Sequence, residues 1–551
     1  MDRRPDGAVS GAPRTIRATW TSPQAGEYIA TGDWSGRLVD APLAEGARRH
    51  PDRLAIVDRD RRVTYGELDA LVTRAASMLA GLGIGSGDVV SFQLPNWLEA
   101  AVLYHATVRL GAVSNPIIPI YRGREVEFIL RQTRARVLVV ADVFRGFDYR
   151  AMLQEIGPGL PDLEHVLVVG DPDEGVTSLH AALAAAPPAA PPAPPRPAHD
   201  PALVLFTSGT EAHPKGVIHS HDTLVYESQS IIDLYRLDGS DRVFMPSPVT
   251  HITGLLYGLM LPQMLGTCVV LQDAWEPSAA LDLIERERLT FCVGATPFLH
   301  ALVHAPDLAR RDLSCLRVFG CGGADVPPTL IRAAHERLDI VASRLYGSTE
   351  CPTVTGTPRD GPIEQHADTD GRPIGASEVR IVDEHGARLP PGRSGDLQVR
   401  GPDLCLGYLD AALNERAFTG DGWFRTGDLA TVDEHGSVRI VGRRKDIIVR
   451  GGENLSAKEI EDLLFEHPQV DDVAIVGYPD AVLGERACAF VVARDELTLD
   501  DLVAFLRDRR VANQKLPERL EIVAALPKTA SGKVQKFRLR DRLRHDAQAG
   551  A

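Results

Sequence analysis

Apolar residues occur along this chain as short continuous runs separated by stretches with helical spacing. Residues 89–94 (Val-Val-Ser-Phe-Gln-Leu), 138–140, 166–169 and 202–206 have the length and β-branched content of buried strands. Segments 43–49, 64–82 and 97–110 are spaced as helices. The second opens on Thr64-Tyr-Gly-Glu67, the hydroxyl and carboxylate of a capping box, and the third, after Asn96, reads as amphipathic. Strand candidates continue at 243–245, 268–271, 291–293 and 317–319, with helices such as 279–288 between them. Strands alternating with helices predict an α/β fold built on mostly parallel sheet.

Past about residue 375 the pattern shortens to strands and turns at 378–382, 395–400 and 437–441, which predicts a small β-rich subdomain. A charged cluster, Gly442-Arg443-Arg444-Lys445-Asp446, interrupts it. Beyond lies an α+β unit with helices at 456–466 and 501–509 and strands at 473–476, 487–492 and 520–523. The expected organisation is a large N-terminal domain over 1–442, containing α/β subdomains and the β-rich one, a hinge at 443–446, and a small mobile C-terminal domain over 447–551. Residues 1–40 read as an irregular arm. The Ala/Pro tract at 181–197, with seven prolines, is extended and surface-bound. It suits a domain boundary or a loop inside the large domain; because an apolar strand follows at once, it is placed as an internal loop over 184–198.

Composition narrows the partners. The chain has 551 residues, too many for one core, and carries 60 Lys and Arg against 75 Asp and Glu, a formal charge of −15. That argues against nucleic acid and anionic membranes as partners, so an anionic substrate must be met by local cations. Seven scattered cysteines without a CxxC pair suggest reduced thiols and no zinc site. Residues 1–17 lack the apolar stretch of a secretory signal and no run is long enough for a membrane span, so a cytoplasmic protein is expected, with a homodimer as its candidate assembly.

Candidate chemistry collects where strands end. Residues 206–216 read Phe-Thr-Ser-Gly-Thr-Glu-Ala-His-Pro-Lys-Gly. The hydroxyls of Thr207, Ser208 and Thr210, the flexible Gly209 and the cation of Lys215 form a loop able to hold phosphates. It departs from the common nucleotide loop, because Pro214 and Gly216 flank the lysine and the chain leaves as a strand. Gly322-Gly323-Ala324 brings bare backbone to the end of a strand. Tyr346-Gly347-Ser348-Thr349-Glu350 offers a flat ring, two hydroxyls and a carboxylate suited to Mg²⁺. Thr426-Gly427-Asp428 presents a carboxylate to a pair of hydroxyls, and residues 527–534, Pro-Lys-Thr-Ala-Ser-Gly-Lys-Val, can carry the Lys533 cation on a flexible loop. Each alone is an ordinary turn or strand end.

Together and in this order, these stretches resemble the adenylate-forming superfamily of acyl-CoA synthetases, aryl-acid AMP ligases, amino-acid adenylation domains and luciferases, over about residues 40–540. The resemblance implies a two-step reaction. A carboxylate attacks the α-phosphate of ATP to give an acyl-adenylate and pyrophosphate, and a thiol then takes the acyl group. It implies that the 207–210 hydroxyls and Lys215 hold pyrophosphate, that Glu350 binds Mg²⁺ with Thr349 beside it, and that Tyr346, Gly347, Ser348 and the 322–324 backbone hold the nucleotide. Asp428 and Arg443 would take the ribose and Lys533 would stabilise the α-phosphate. The C-terminal unit would then turn about Lys445, so that Gly451 and Gly452 line a pantetheine tunnel. Glu211-Ala212 departs from the family pattern, since a carboxylate there repels pyrophosphate, and Lys536 stands where arginine is common.

His251, in Pro-Val-Thr-His-Ile-Thr-Gly, falls where the family places a residue flanking the acyl pocket. No Asp lies between Met245 and Met260 to pair an ammonium, and Ile252 replaces the Asn of hydroxybenzoate ligases. With Ala295, Gly320, Cys321 and Gly322 expected to leave an apolar wall, the substrate reads as a fatty, alicyclic or aromatic carboxylic acid, closest to those of medium-chain or cyclohexanecarboxylate ligases. Without a fused carrier domain after residue 540, coenzyme A is the expected acceptor; a separate phosphopantetheinyl carrier protein is the alternative.

Overall fold

The computed structural model describes residues 15–190, 195–207, 214–450, 453–480, 483–529 and 532–549. Two seven-stranded sheets carry the N-terminal part. In one, Val341–Leu345, Val318–Gly322, Phe291–Gly294, Val243–Met245, Val269–Leu271 and Leu54–Asp58 run parallel, and Arg61–Thr64 closes the edge as a hairpin. The other orders Lys215–Ser220, Pro201–Thr207, Val113–Pro116, Val89–Gln93, Val137–Ala141, His165–Val169 and Thr177–Ser178. It is parallel except for the first pair, in which Thr207 faces Lys215 across an antiparallel hairpin. These strands are apolar on both faces because both faces are covered, and one continuous core joins residues of the two sheets. The Ala/Pro tract connects two strands of the same sheet, and its residues 191–194 lie outside the described ones.

Thr64 caps the helix Tyr65–Gly81 as the sequence implies: its hydroxyl accepts from Glu67 N at 3.3 Å and Glu67 returns a bond to Thr64 N at 2.8 Å. The helix Leu98–Arg109 differs from expectation. It is not amphipathic, because every residue from Leu98 to Val108 is buried. Its polar members are paired instead: Glu99 takes Arg61 at 2.7 Å and His180 at 3.0 Å, and the ring of His105 bonds Leu259 O at 3.1 Å.

A four-stranded antiparallel sheet follows, Glu378–Val382, Gly395–Arg400, Phe424–Val432 and Val438–Arg443. Its last pair puts Asp428 opposite Arg443. Beyond the short turn Arg444–Asp446, the small C-terminal domain has a core of its own, drawn from Ile448 to Leu516. Five strands and the helices Ala457–Leu464 and Leu499–Asp508 build it, and Lys536–Ala549 adds a closing helix. Among the described residues no helix is long and apolar enough to cross a membrane, and all seven cysteines are buried free thiols.

Candidate active site

The carboxyl ends of the parallel strands open into a cavity of about 640 Å³. Thr207, Gly294, Gly322 and Leu345 reach it from four strand ends, and Asp428 and Arg443 reach it from the antiparallel sheet. A second space of about 380 Å³ continues between the two domains and shares Gly323, Leu345, Gly347, Asp428, Arg443 and Lys533 with the first. Ala324 and Tyr346 line that second space. Gly323, at φ +77°, makes the turn that presents the 322–324 backbone there.

Three carboxylate and imidazole groups are held by specific partners. Asp428 accepts the Tyr346 phenol at 2.7 Å on one oxygen and Arg443 Nε at 2.9 Å on the other. Burial and that carboxylate push the Tyr346 phenol well above its usual range, so it stays a donor. Glu350 accepts the Tyr408 hydroxyl at 2.6 Å, and its own N–H takes Ser348 Oγ at 3.2 Å. His219 holds the Thr349 carbonyl at 2.7 Å; burial pushes this imidazole down to about 4, so it is neutral and donates that bond. Lys215 lies 5.8 Å from the Tyr408 ring centroid, on the same wall.

Lys533 enters from the C-terminal domain. Thr529 N donates to Lys533 O at 2.8 Å, Lys533 N donates to Thr529 Oγ1 at 3.1 Å, and Gly532 turns at φ +80°. At Gly532 a Cβ would sit 2.8 Å from Pro297 Cγ, so the loop rests directly on the large domain. Enclosure in the cleft, with Arg443 beside it, pushes the Lys533 amine down to about 7. His251 lines the same cavity, and burial, with Lys533 nearby, pushes it down to about 4. Its Nδ1 accepts Thr253 N at 3.4 Å, which leaves the imidazole proton on Nε2.

The apolar part of the cavity is walled by Ile118, Ile120, Tyr121, Ile252 and Val293. This differs from the expected wall. Cys321 is fully buried with its thiol toward Thr296, and Gly320 backs onto Leu345 and Val293 instead of opening space. Two hydroxyls also reach the cavity, Tyr257 and Thr353, bonded to each other at 2.5 Å, with Tyr257 donating to the buried Glu227. Burial and the neighbouring Asp403 push the Glu227 carboxyl up.

Of the expected residues, the structure thus gathers Thr207, Lys215, His251, Gly322, Gly323, Gly347, Ser348, Thr349, Glu350, Asp428, Arg443, Lys445 and Lys533 on one cavity. Ser208, Gly209, Thr210 and Glu211, with Gly451 and Gly452, lie outside the described residues. Tyr408, His219, Tyr257 and Thr353 were not anticipated; Tyr408 follows Gly407, at φ +92°, which was the one local signal of a special turn there.

A Mg²⁺ ion fits this donor set only in part from protein. Among the described residues no three His, Cys, Asp or Glu side chains cluster to hold a metal. Glu350, with one oxygen fixed by Tyr408, offers a single carboxylate, the arrangement Mg²⁺ accepts when phosphates and water complete its shell.

Comparison with known proteins decides the family. Residues 43–409 match the model described as AMP-binding enzyme, and 459–533 match the AMP-binding enzyme C-terminal domain. The chain belongs to the AMP-binding enzyme family. It is 36% identical over 531 residues to the medium-chain fatty-acid–CoA ligase of Escherichia coli (strain K12), covering 95% of this chain and 94% of that one. It is 33% identical to the 2,3-dihydroxybenzoate-AMP ligase of Bacillus subtilis (strain 168), over 96% and 98% of the two chains. Among solved structures, an anthranilate CoA ligase in complex with anthranoyl-AMP superposes with a TM-score of 0.87 at 26% identity, over 93% of this chain and 98% of that one. This AMP-binding enzyme is accordingly an AMP-forming ligase with the α/β architecture of the adenylate-forming enzymes, a large N-terminal domain and a small C-terminal one.

Proposed function

We propose that this enzyme activates a fatty, alicyclic or aromatic carboxylic acid with ATP and transfers the acyl group to coenzyme A, releasing AMP and pyrophosphate. The observation that carries this reading is the meeting of Lys533, His251 and Glu350 in one cavity that Ile118, Ile120, Ile252 and Val293 also line. Negative charge builds at the α-phosphate as the carboxylate attacks, and a cation aimed there stabilises that state selectively. Lys533 is that cation. Its lowered basicity reflects burial and the neighbouring Arg443; polyanionic ATP favours the charged amine. His251, neutral and with a proton on Nε2, donates toward the acid, and the Thr349 hydroxyl, on the same cavity, is a second donor. Asp428 retains one lone pair on each oxygen after Tyr346 and Arg443 are served, enough for two ribose hydroxyls. Thr207 and Lys215, with Ser208, Gly209 and Thr210, take the leaving pyrophosphate. Mg²⁺ at Glu350 supplies charge neutralisation along the phosphates.

Lys445, in the short turn between the domains, is the proposed pivot for the second step, with Gly451 and Gly452 flanking the incoming thiol. For the acid, the five apolar side chains and the two hydroxyls of Tyr257 and Thr353 favour a substrate of modest size without charge at its far end. The second reading, a ligase that loads a carrier protein, is favoured by one observation: relatives of similar identity include a salicyl-AMP ligase/salicyl-S-ArCP synthetase, at 36%. Incubation with ATP, a panel of acids and either coenzyme A or a holo-carrier protein, read by mass, separates the two. Acyl-CoA is the expected product; acyl-adenylate without acyl-CoA from every acid would overturn the coenzyme A assignment.

A further inference from the structure

Lys458 is a buried cation that the chemistry above does not use. It lies on the helix Ala457–Leu464 of the C-terminal domain, its side chain 8% exposed, and its amine lies 3.0 Å from Asp325 and 3.0 Å from Asp462. Asp462 belongs to the same helix, but Asp325 belongs to the large domain, two residues past Gly323, where its carbonyl accepts Thr296 Oγ1 at 2.8 Å. Taking a lysine out of water costs several kcal/mol unless partners compensate it, so this helix favours the position in which Asp325 is within reach. The helix is fastened beside it a second time, where Ser456 Oγ donates to Val441 O at 2.6 Å.

One turn further along the same face, the helix leads to the reacting end. Glu461 pairs with Lys536 at 2.7 Å, both largely buried, and Lys536 lies three residues beyond Lys533. Glu461 also accepts the Ile475 N–H at 2.5 Å, which fixes the helix to its own sheet. A connected series therefore runs from Asp325 through Lys458 and the helix to Glu461, Lys536 and the lysine loop.

We propose that Lys458 is a positioning residue for adenylation: by bridging to Asp325 it seats the C-terminal helix so that Lys533 enters the cavity. The inference rests on the adenylation reading above. It acts on one half-reaction only, since transfer of a preformed acyl group does not need Lys533 at the α-phosphate. Two properties are measured for Lys458→Met, which keeps the length and loses the charge, for Lys458→Arg, and for Asp325→Asn. One is acid-dependent exchange of pyrophosphate into ATP, compared with thioester formation from supplied acyl-adenylate and coenzyme A. The other is labelling of Lys533 by acetic anhydride, read by mass, which requires no turnover.

The expected result for Lys458→Met and Asp325→Asn is a fall in exchange kcat of about tenfold with KM for ATP within about twofold, thioester formation from the adenylate within about twofold, and Lys533 labelling raised about threefold. Lys458→Arg recovers most of the exchange rate. Exchange and labelling unchanged in Lys458→Met, or an equal fall in both half-reactions, would overturn the positioning role. Absence of exchange in the wild-type enzyme with every acid would instead count against the adenylation reading, and the labelling result would still decide whether Lys458 seats Lys533.

Discussion

Lys533 and Glu350 are recognisable by residue type, but what tunes them is not. The Lys533 amine is pushed down to about 7 by enclosure and by Arg443, so at pH 8 the free enzyme holds it largely neutral. In the proposed reaction ATP brings negative charge to the cleft and restores the proton. Calorimetric titration with ATP at pH 8, in two buffers of different ionisation enthalpy, is expected to show net proton uptake that is absent in Lys533→Met; equal uptake in both proteins would contradict this. Tyr408 orients Glu350 through a 2.6 Å bond. Tyr408→Phe is expected to raise the Mg²⁺ concentration for half-maximal activity by about tenfold with little change in saturated rate. An unchanged Mg²⁺ dependence would remove Tyr408 from that role. Neither the Tyr408–Glu350 bond nor the Thr349–His219 bond was legible in the sequence, because each joins residues 58 or 130 positions apart.

Elements were legible where burial is uniform and illegible where pairing decides. Parallel strands announced themselves as apolar runs because both faces are covered. The helix Leu98–Arg109 reads as amphipathic in the sequence because Glu99 and His105 look like solvent positions, whereas Arg61, His180 and the Leu259 carbonyl make their burial tolerable in the fold. The closing helix Lys536–Ala549 went unseen because its charge masks Leu539 and Leu543, two buried leucines four apart. Asp428 and Arg443 meet through strand register, which spacing alone does not reveal.

The lysine loop offers a test at this scale. Gly532→Ala would place a Cβ against Pro297 at φ +80° and should unseat the loop, lowering adenylation about tenfold while folding is preserved. Full activity in that variant would mean the loop has room the structure denies. The helix His221–Tyr235 offers another. Burial and Asp403 hold the Glu227 carboxyl protonated in the fold, whereas the unfolded chain releases that proton once pH passes the ordinary carboxylate range. Its contribution is therefore present at acid pH and lost as pH rises toward neutrality and beyond. Glu227→Gln, which keeps an acceptor for Tyr257, should flatten the decline in unfolding midpoint between pH 5 and 8; parallel curves for the two proteins would contradict it.

At the scale of the whole molecule, two cores meet over one cleft, and the proposed chemistry depends on that meeting. The large domain brings Glu350, His251 and Asp428 to the strand ends, and the small domain brings Lys533. The chain has a formal charge of −15, yet Lys215, Arg416, Arg425, Arg443, Arg444, Lys445 and Lys533 converge on the cavity, which is where the proposed function puts the anionic nucleotide. The order of motifs along the sequence was enough to expect such a site, whereas the contact between domains, through Gly532 on Pro297 and Lys458 on Asp325, exists only in the folded molecule.

The most direct measurement of the central claim is exchange of labelled pyrophosphate into ATP, run with and without a panel of fatty, alicyclic and aromatic acids, for the wild-type enzyme and Lys533→Ala. The account predicts acid-dependent exchange in the wild type and a loss of at least about a hundredfold in the variant, with ATP affinity held within about threefold. Undiminished exchange in Lys533→Ala would contradict it.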